Sequence, residues 1–140
     1  MSDDQGKAPA ASAPPKGGVV AYLLLDGALK AADFYVRAFG AEIAASHPAD
    51  AQGRTPHVHL YINGSSVMLC DFFPEHGHPV EAPQAFTLTL MVDDIHRWWQ
   101  RAIEAGATPV IPVQEMFWGD LYAQLRDPFG VLWSMNQSKQ

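Results

Sequence analysis

With 140 residues, 48% of them hydrophobic, the chain has the size and composition of one globular domain with a core of its own. A net charge of −6 and a pI near 5.3, with Lys and Arg dispersed, exclude the basic face that nucleic acid or an anionic membrane requires. The lone cysteine, Cys70, excludes an internal disulfide, and no apolar run reaches the roughly 18 residues of a spanning helix. The N-terminus lacks a charged-then-apolar leader pattern, so the cytoplasm is the expected compartment.

Residues 1–18 are Ala, Pro, Gly and polar residues without periodicity. They offer too little apolar area to offset their ordering entropy, so a flexible tail is expected there. The folded part is expected to begin at Val19 and to run as a single domain to position 138. A strand is predicted over Val19–Leu25. Leu29, Ala32, Val36 and Phe39, with Tyr35 beside them, then form a helical stripe that Gly40 ends. Strands follow at Ala41–Ser46, His57–Ile62 and Val67–Asp71, and Asn63-Gly64 between apolar runs is a hairpin signal.

After a loop over Pro74–Pro83 the order recurs. A strand is predicted over Phe86–Val92, followed by a helix with Ile95, Trp98, Trp99, Ala102 and Ile103 on one stripe. Asp93 or Asp94 caps that helix and Gly106 stops it, and the stripe places both tryptophans in the core. The last strands are Pro109–Pro112, Leu121–Arg126 and Val131–Asn136, and Asp127-Pro128-Phe129-Gly130 has the residues of a type I turn. Trp133, alternating away from Ser134, is expected in the core.

The chain thus reads βαβββ twice. Leu23-Leu24-Leu25-Asp26, Phe34-Tyr35 and Phe39-Gly40-Ala41 in module one (about 19–73) match Leu88-Thr89-Leu90-Met91-Val92-Asp93, Trp98-Trp99 and Ala105-Gly106-Ala107 in module two (about 85–138). Each copy is too short to bury a core alone, so the two must pack together. Such a seam is a common place for a ligand.

Tandem βαβββ units resemble the vicinal oxygen chelate superfamily of glyoxalase I, bleomycin-resistance proteins and extradiol dioxygenases. The resemblance runs from about Val19 to Ser138 and is tightest to the PhnB-like branch. Its segments are Asp33-Phe34-Tyr35, Phe39-Gly40-Ala41-Glu42, His57-Val58-His59-Leu60, Asn63-Gly64-Ser65 and Met68-Leu69-Cys70-Asp71. The more specific ones are Met116-Phe117-Trp118-Gly119-Asp120-Leu121-Tyr122 and Arg126-Asp127-Pro128-Phe129-Gly130-Val131-Leu132-Trp133-Ser134. The resemblance implies an α+β fold of tandem modules forming a cupped mixed sheet around a pocket, of the glyoxalase/bleomycin-resistance/dihydroxybiphenyl dioxygenase type, within a homodimer. It implies no single activity.

Metal-dependent members carry His or Gln on the first strand of each module and Glu on the last. Counting from the matched segments, those positions fall at Val20, near Leu69, at Thr87 and at Ser134. Val and Leu have no lone pair to give, and the hydroxyls are poor ligands for a transition ion. No metal and no other cofactor is therefore expected. His57 and His59, two apart on a strand, share a face and could rebuild a site with Asp71. A strict two-residue Asn-Gly turn pairs Ile62 with Ser65 and turns Asp71 away, whereas a one-residue bulge brings it round. The alternative is that the histidines line a polar pocket wall.

His47, His76, His78 and His96 read as surface residues, and Cys70 as a buried, inert thiol. Phe117 and Trp118, on a loop entering a strand, are candidates for a lid or pocket wall. Tyr22 and Thr89 should point into the cup with Thr87. No Ser-His-Asp or Cys-His pair stands at motif spacing, and there is no glycine-rich phosphate loop. The expected ligand-binding set is Tyr22, His57, His59, Asp71, Thr87, Phe117, Trp118 and Ser134, around a small organic molecule. Two functions follow. One is a metal-free binding protein. The other is an enzyme, using His57, His59 and Asp71 as unorthodox ligands, or Asp71 or His57 as a base.

Overall fold

The computed structural model describes residues 10–139. Module one contains β1 (Ala21–Leu25), α1 (Ala28–Phe39), β2 (Glu42–Ser46), β3 (Val58–Ile62) and β4 (Ser65–Asp71). A one-turn helix at Pro74–His76 begins the connection to module two. There β5 (Leu88–Met91), α2 (Ile95–Ala105), β6 (Thr108–Glu115), β7 (Leu121–Arg126) and β8 (Leu132–Gln137) repeat the plan. Each module is a four-stranded mixed sheet, ordered β1-β4-β3-β2 and β5-β8-β7-β6, with the first pair parallel and the others antiparallel. The fold is α+β, as the repeat predicts.

The Asn63-Gly64 signal resolves the hairpin register. Both residues have positive φ, 52° and 85°, and Ile62 pairs directly with Ser65. A primed turn of this kind matches the twist of its strands, which is why Asn-Gly closes it without a bulge. Leu23, Leu25, Val58, Leu60, Ile62, Val67, Leu69 and Asp71 therefore share the face toward α1, and all are buried.

One core unites the modules. Phe34, Tyr35 and Phe39 of α1 reach into module two, where Tyr35 and Phe39 lie 5.3 and 4.8 Å from the Trp133 ring and Phe34 meets Phe129 at 6.3 Å. Each fully buried ring contributes about 1.5–3 kcal/mol by leaving water. Beside them the Arg101 guanidinium of α2 donates to the carbonyls of Arg37 and Val36, and Arg37 donates to Ala105 O. Contact with both modules widens the buried face of α1 beyond the expected stripe. Ala28, Ala31, Phe34 and Ala38 join it, while Leu29 and Val36 move to its margin.

Two expectations need correction. Only Ile95 and Ala102 of α2 are buried; Trp98 and Trp99 are half-buried at the core's edge. Trp98 Nε1 donates to Asp93 there, because the outer flank of α2 faces solvent. The N-terminal segment also differs from a free tail, since residues 10–16 are hydrogen-bonded across the first sheet. Residues 1–9 of that expectation lie outside the described residues.

Candidate ligand site

The face of the first sheet turned away from α1 carries the alternate residues Tyr22, Leu24, His59, Tyr61, Ser66, Met68 and Cys70, with His57 just before β3. On it Tyr22 Oη lies 2.9 Å from His57 Nδ1, and their rings are 5.8 Å apart. His47 and His59 flank His57, with ring centroids at 5.7 and 6.5 Å. Burial, then the two neighbouring imidazoles, hold the His57 pKa below the ordinary 6.5. Burial, then Cys70, pushes the Tyr22 phenol up. At neutral pH the pair is therefore an uncharged phenol hydrogen-bonded to an uncharged imidazole. It can exchange a hydrogen bond or a proton with a neighbour without a standing charge.

Next to this pair is a cleft of about 240 Å³, walled by Tyr22, Leu24, Phe72, Phe86, Pro83 and Val131, with Glu81 at its rim. Phe72 and Phe86 were not among the expected site residues. Phe72 directly follows β4 and Phe86 belongs to the connection between modules, which folds back over β1. The signal that could have found them is that both aromatics flank the connection where it meets the sheet.

His59 shares the Tyr22 face but is 1% exposed, and its Nε2 lies 2.7 Å from Ser66 Oγ. Asp71 is not a site residue. With the strict hairpin register its carboxylate points to the helix side, where Oδ1 accepts from the N–H groups of Gly27 and Ala28 at 2.8 and 3.2 Å. Its Oδ2 accepts from Thr55 N at 2.8 Å. Gly27, at the start of α1, has no side chain to cap the helix, so Asp71 satisfies those orphan donors from β4. Its role as ligand or base is withdrawn, and with it the three-residue metal set. Cys70 is half-buried rather than sealed, its thiol pKa raised by burial and by Asp71.

In module two, Ser134 is fully buried and its Oγ lies 2.7 Å from Thr89 Oγ1 and 3.4 Å from Thr87 Oγ1. Phe117 and Trp118 form the tip of the β6–β7 hairpin, edge to face at 4.8 Å, 97% and 49% exposed. The expected residues thus form three groups, with Tyr22, His57 and His59 on sheet one, Thr87 and Ser134 on sheet two, and the aromatic tip. The hydrogen bonds of the first two groups stay within their own modules.

The model of the Glyoxalase/Bleomycin resistance protein/Dioxygenase superfamily matches residues 23–135. The chain belongs to this superfamily. A Mycobacterium bovis protein described as uncharacterized is 39% identical over 122 residues, which cover 83% of this chain and 80% of that protein. Among solved structures, TioX from Micromonospora sp. ML1 superposes with a TM-score of 0.69 at 28% identity, over 86% of this chain and 98% of that one. A Bacillus cereus PhnB protein, described as a putative 3-demethylubiquinone-9 3-methyltransferase, has a TM-score of 0.62 at 17% identity, over 87% of this chain and 100% of that one. It shows the fold alone.

The superfamily includes metal-dependent members, and the donor chemistry of this chain does not fit their metal site. Leu69 is in the core, Val20 offers no lone pair, and the Thr87 and Ser134 hydroxyls lie within hydrogen-bonding distance of each other. Among the described residues no three of His, Cys, Asp or Glu converge on a common point. No chemical step is assigned to a metal.

Proposed function

We propose that this superfamily member binds a small organic molecule on the outer face of module one, without a metal, as a cytoplasmic homodimer. The observation that carries the reading is the apolar cleft of Tyr22, Leu24, Phe72 and Phe86 beside the uncharged Tyr22–His57 pair. Aromatic walls supply area to bury and the pair supplies a directional polar contact, the usual composition of a small-molecule site. Its volume, about 240 Å³, is below the roughly 300–1,000 Å³ of such sites. A second copy completing the cup reconciles the two.

Mass spectrometry of small molecules released from the purified protein tests this. A molecule retained by the wild type and lost from Phe86→Ala is expected. An empty wild type, or equal retention by the variant, removes the reading. The Tyr22–His57 hydrogen bond also favours a second reading, a proton-transfer enzyme with His57 as base. Elemental analysis bears on the metal-dependent form of that reading. Ni, Zn, Fe and Mn should be clearly substoichiometric, and near one equivalent lost on His57→Ala would replace the binding protein with an enzyme.

A further inference from the structure

Residues 10–16, Ala-Ala-Ser-Ala-Pro-Pro-Lys, cross the outer face of the first sheet from β4 to the edge strand β2. At β4, Lys16 N donates to Ser66 Oγ at 2.6 Å and Ser66 N donates to Lys16 O at 3.0 Å. Over β3, Tyr61 Oη donates to Pro14 O at 2.6 Å, and the Lys16 ammonium sits 4.0 Å above the Tyr61 ring. At β2, Ser46 N donates to Ala10 O at 2.8 Å, and His47 Nε2 lies 3.2 Å from Ala11 O.

The division of labour is one-sided. The sheet offers N–H, O–H and ring donors together with an aromatic face. The strap answers mainly with backbone carbonyls and one cation. Pro14 and Pro15 have no N–H, so the middle of the segment cannot donate to a ladder and its backbone pairing is confined to Ala10 and Lys16 at its ends. Apart from half-buried Ala13, its residues are exposed, so little apolar burial holds it down. Beneath it the polar pair His59 and Ser66 is 1% and 4% exposed, although both belong to the face turned away from the core.

We infer that the surface formed by Ser46, His47, Tyr61 and Ser66 is a peptide-accepting groove, held in this chain by its own residues 10–16. The ligand class that fits is an extended amide backbone presenting carbonyls, with a cation for the Tyr61 face. Such a ligand and the strap exclude each other, and release of the strap is the step that uncovers His59. The groove lies beside the Tyr22–His57 cleft and goes beyond the reading given for it, so each can fail alone.

Two measurements on the full chain test this. In amide hydrogen exchange, Ser46 and Ser66, bonded to strap carbonyls, should exchange at least about tenfold faster than Leu60 and Leu69 in the core strands, because local opening needs less than global unfolding. The second probe is the synthetic peptide acetyl-Ala-Ala-Ser-Ala-Pro-Pro-Lys-amide, titrated into wild type and Lys16→Ala. Lys16 is exposed, so the variant should melt with the wild type while its own strap is weakened. The peptide should bind the variant about two- to fivefold more tightly, the range expected for a lost exposed cation–π contact. Ser46 and Ser66 amides as slow as those of Leu60 and Leu69 would make the strap a fixed part of the fold. That result, equal affinity for the two proteins, or no binding to either, overturns the inference.

Discussion

At position 71 a carboxylate two residues past Leu69 can face a ligand or the core, and a single register decides which. Ile62 opposite Ser65 sends it to the helix side, where three backbone N–H groups occupy its oxygens. Removing it leaves the start of α1 and Thr55 with buried donors and no acceptor. Asp71→Ala should therefore lose roughly 3 kcal/mol in urea unfolding, the sum of a lost cap and unsatisfied N–H groups. A variant as stable as the wild type would return Asp71 to the candidate site. His57 is the opposite case, half-exposed and hydrogen-bonded to Tyr22. Its depressed pKa means that the folded state resists protonation. Its contribution to stability is full above the unfolded value of 6.5 and is lost as pH falls through the lower folded value. An NMR titration of the His57 ring should give a midpoint below 6.5; a midpoint above it would mean that an anion, not burial, dominates the site.

Between elements, a dense polar connection is the turn of Asp127-Pro128-Phe129-Gly130. Asp127 Oδ1 accepts from Phe129 N and Val131 N at 2.8 and 3.0 Å, closing the β7–β8 hairpin. Oδ2 accepts from Trp133 Nε1 at 2.9 Å and, from the other module, Tyr35 Oη at 2.6 Å. Burial first, then Asp127, pushes the Tyr35 phenol well above 10.0. The tyrosine's contribution is thus fully present below the unfolded value near 10 and is lost as pH rises toward the folded one. Tyr35→Phe should cost about 1–2 kcal/mol at neutral pH and flatten the fall in stability above pH 10, measured by denaturant melts across alkaline pH. An unchanged alkaline slope would mean that Tyr35 is not the group responsible. This turn shows what could be read from the chain. Asp-Pro-Phe-Gly announced a turn, and Asn63-Gly64 announced a hairpin, because both depend on local backbone chemistry. The βαβββ repeat was legible for the same reason, with its hydrophobic periods written into each segment. The tyrosine 92 residues from Asp127 was not legible, since it depends on how the modules pack. Nor was the half-exposure of Trp98, because a stripe does not say whether a second neighbour covers its flank. In the candidate site, the shared face of His57 and His59 followed from alternation, whereas the place of Tyr22 beside them depends on the register of β1 and β3 against β4. Phe72 and Phe86 entered through a connection without period, and the strap escaped notice because its partners are donors on the sheet, not features of its own composition.

For the molecule as a whole, the outer faces of both sheets carry polar and aromatic groups that a single chain leaves only partly covered. Tyr22, Met91, Phe86, Phe117 and Trp118 are all 44% exposed or more. Such groups mark a partner surface where they form one patch, and the proposed homodimer would gather them into one. Light scattering should therefore return twice 15.3 kDa at micromolar concentration, and a value of 15.3 kDa would remove the second copy from the proposed cup. The aromatic tip separates folding from function more sharply. Trp133 is 2% exposed against Tyr35 and Phe39, so Trp133→Ala should cost roughly 3–5 kcal/mol of stability. Trp118, at 49% exposure on a hairpin tip, has little core to lose. Trp118→Ala should melt within a degree or two of the wild type, yet weaken either self-association or retention of the bound molecule by tenfold or more, the loss of about 1.4 kcal/mol. Paired melts and light scattering on the two variants, with mass spectrometry of the retained molecule, decide it. If Trp118→Ala melts as early as Trp133→Ala, the tip belongs to the core. If it changes neither assembly nor retention, the tip does not belong to the site.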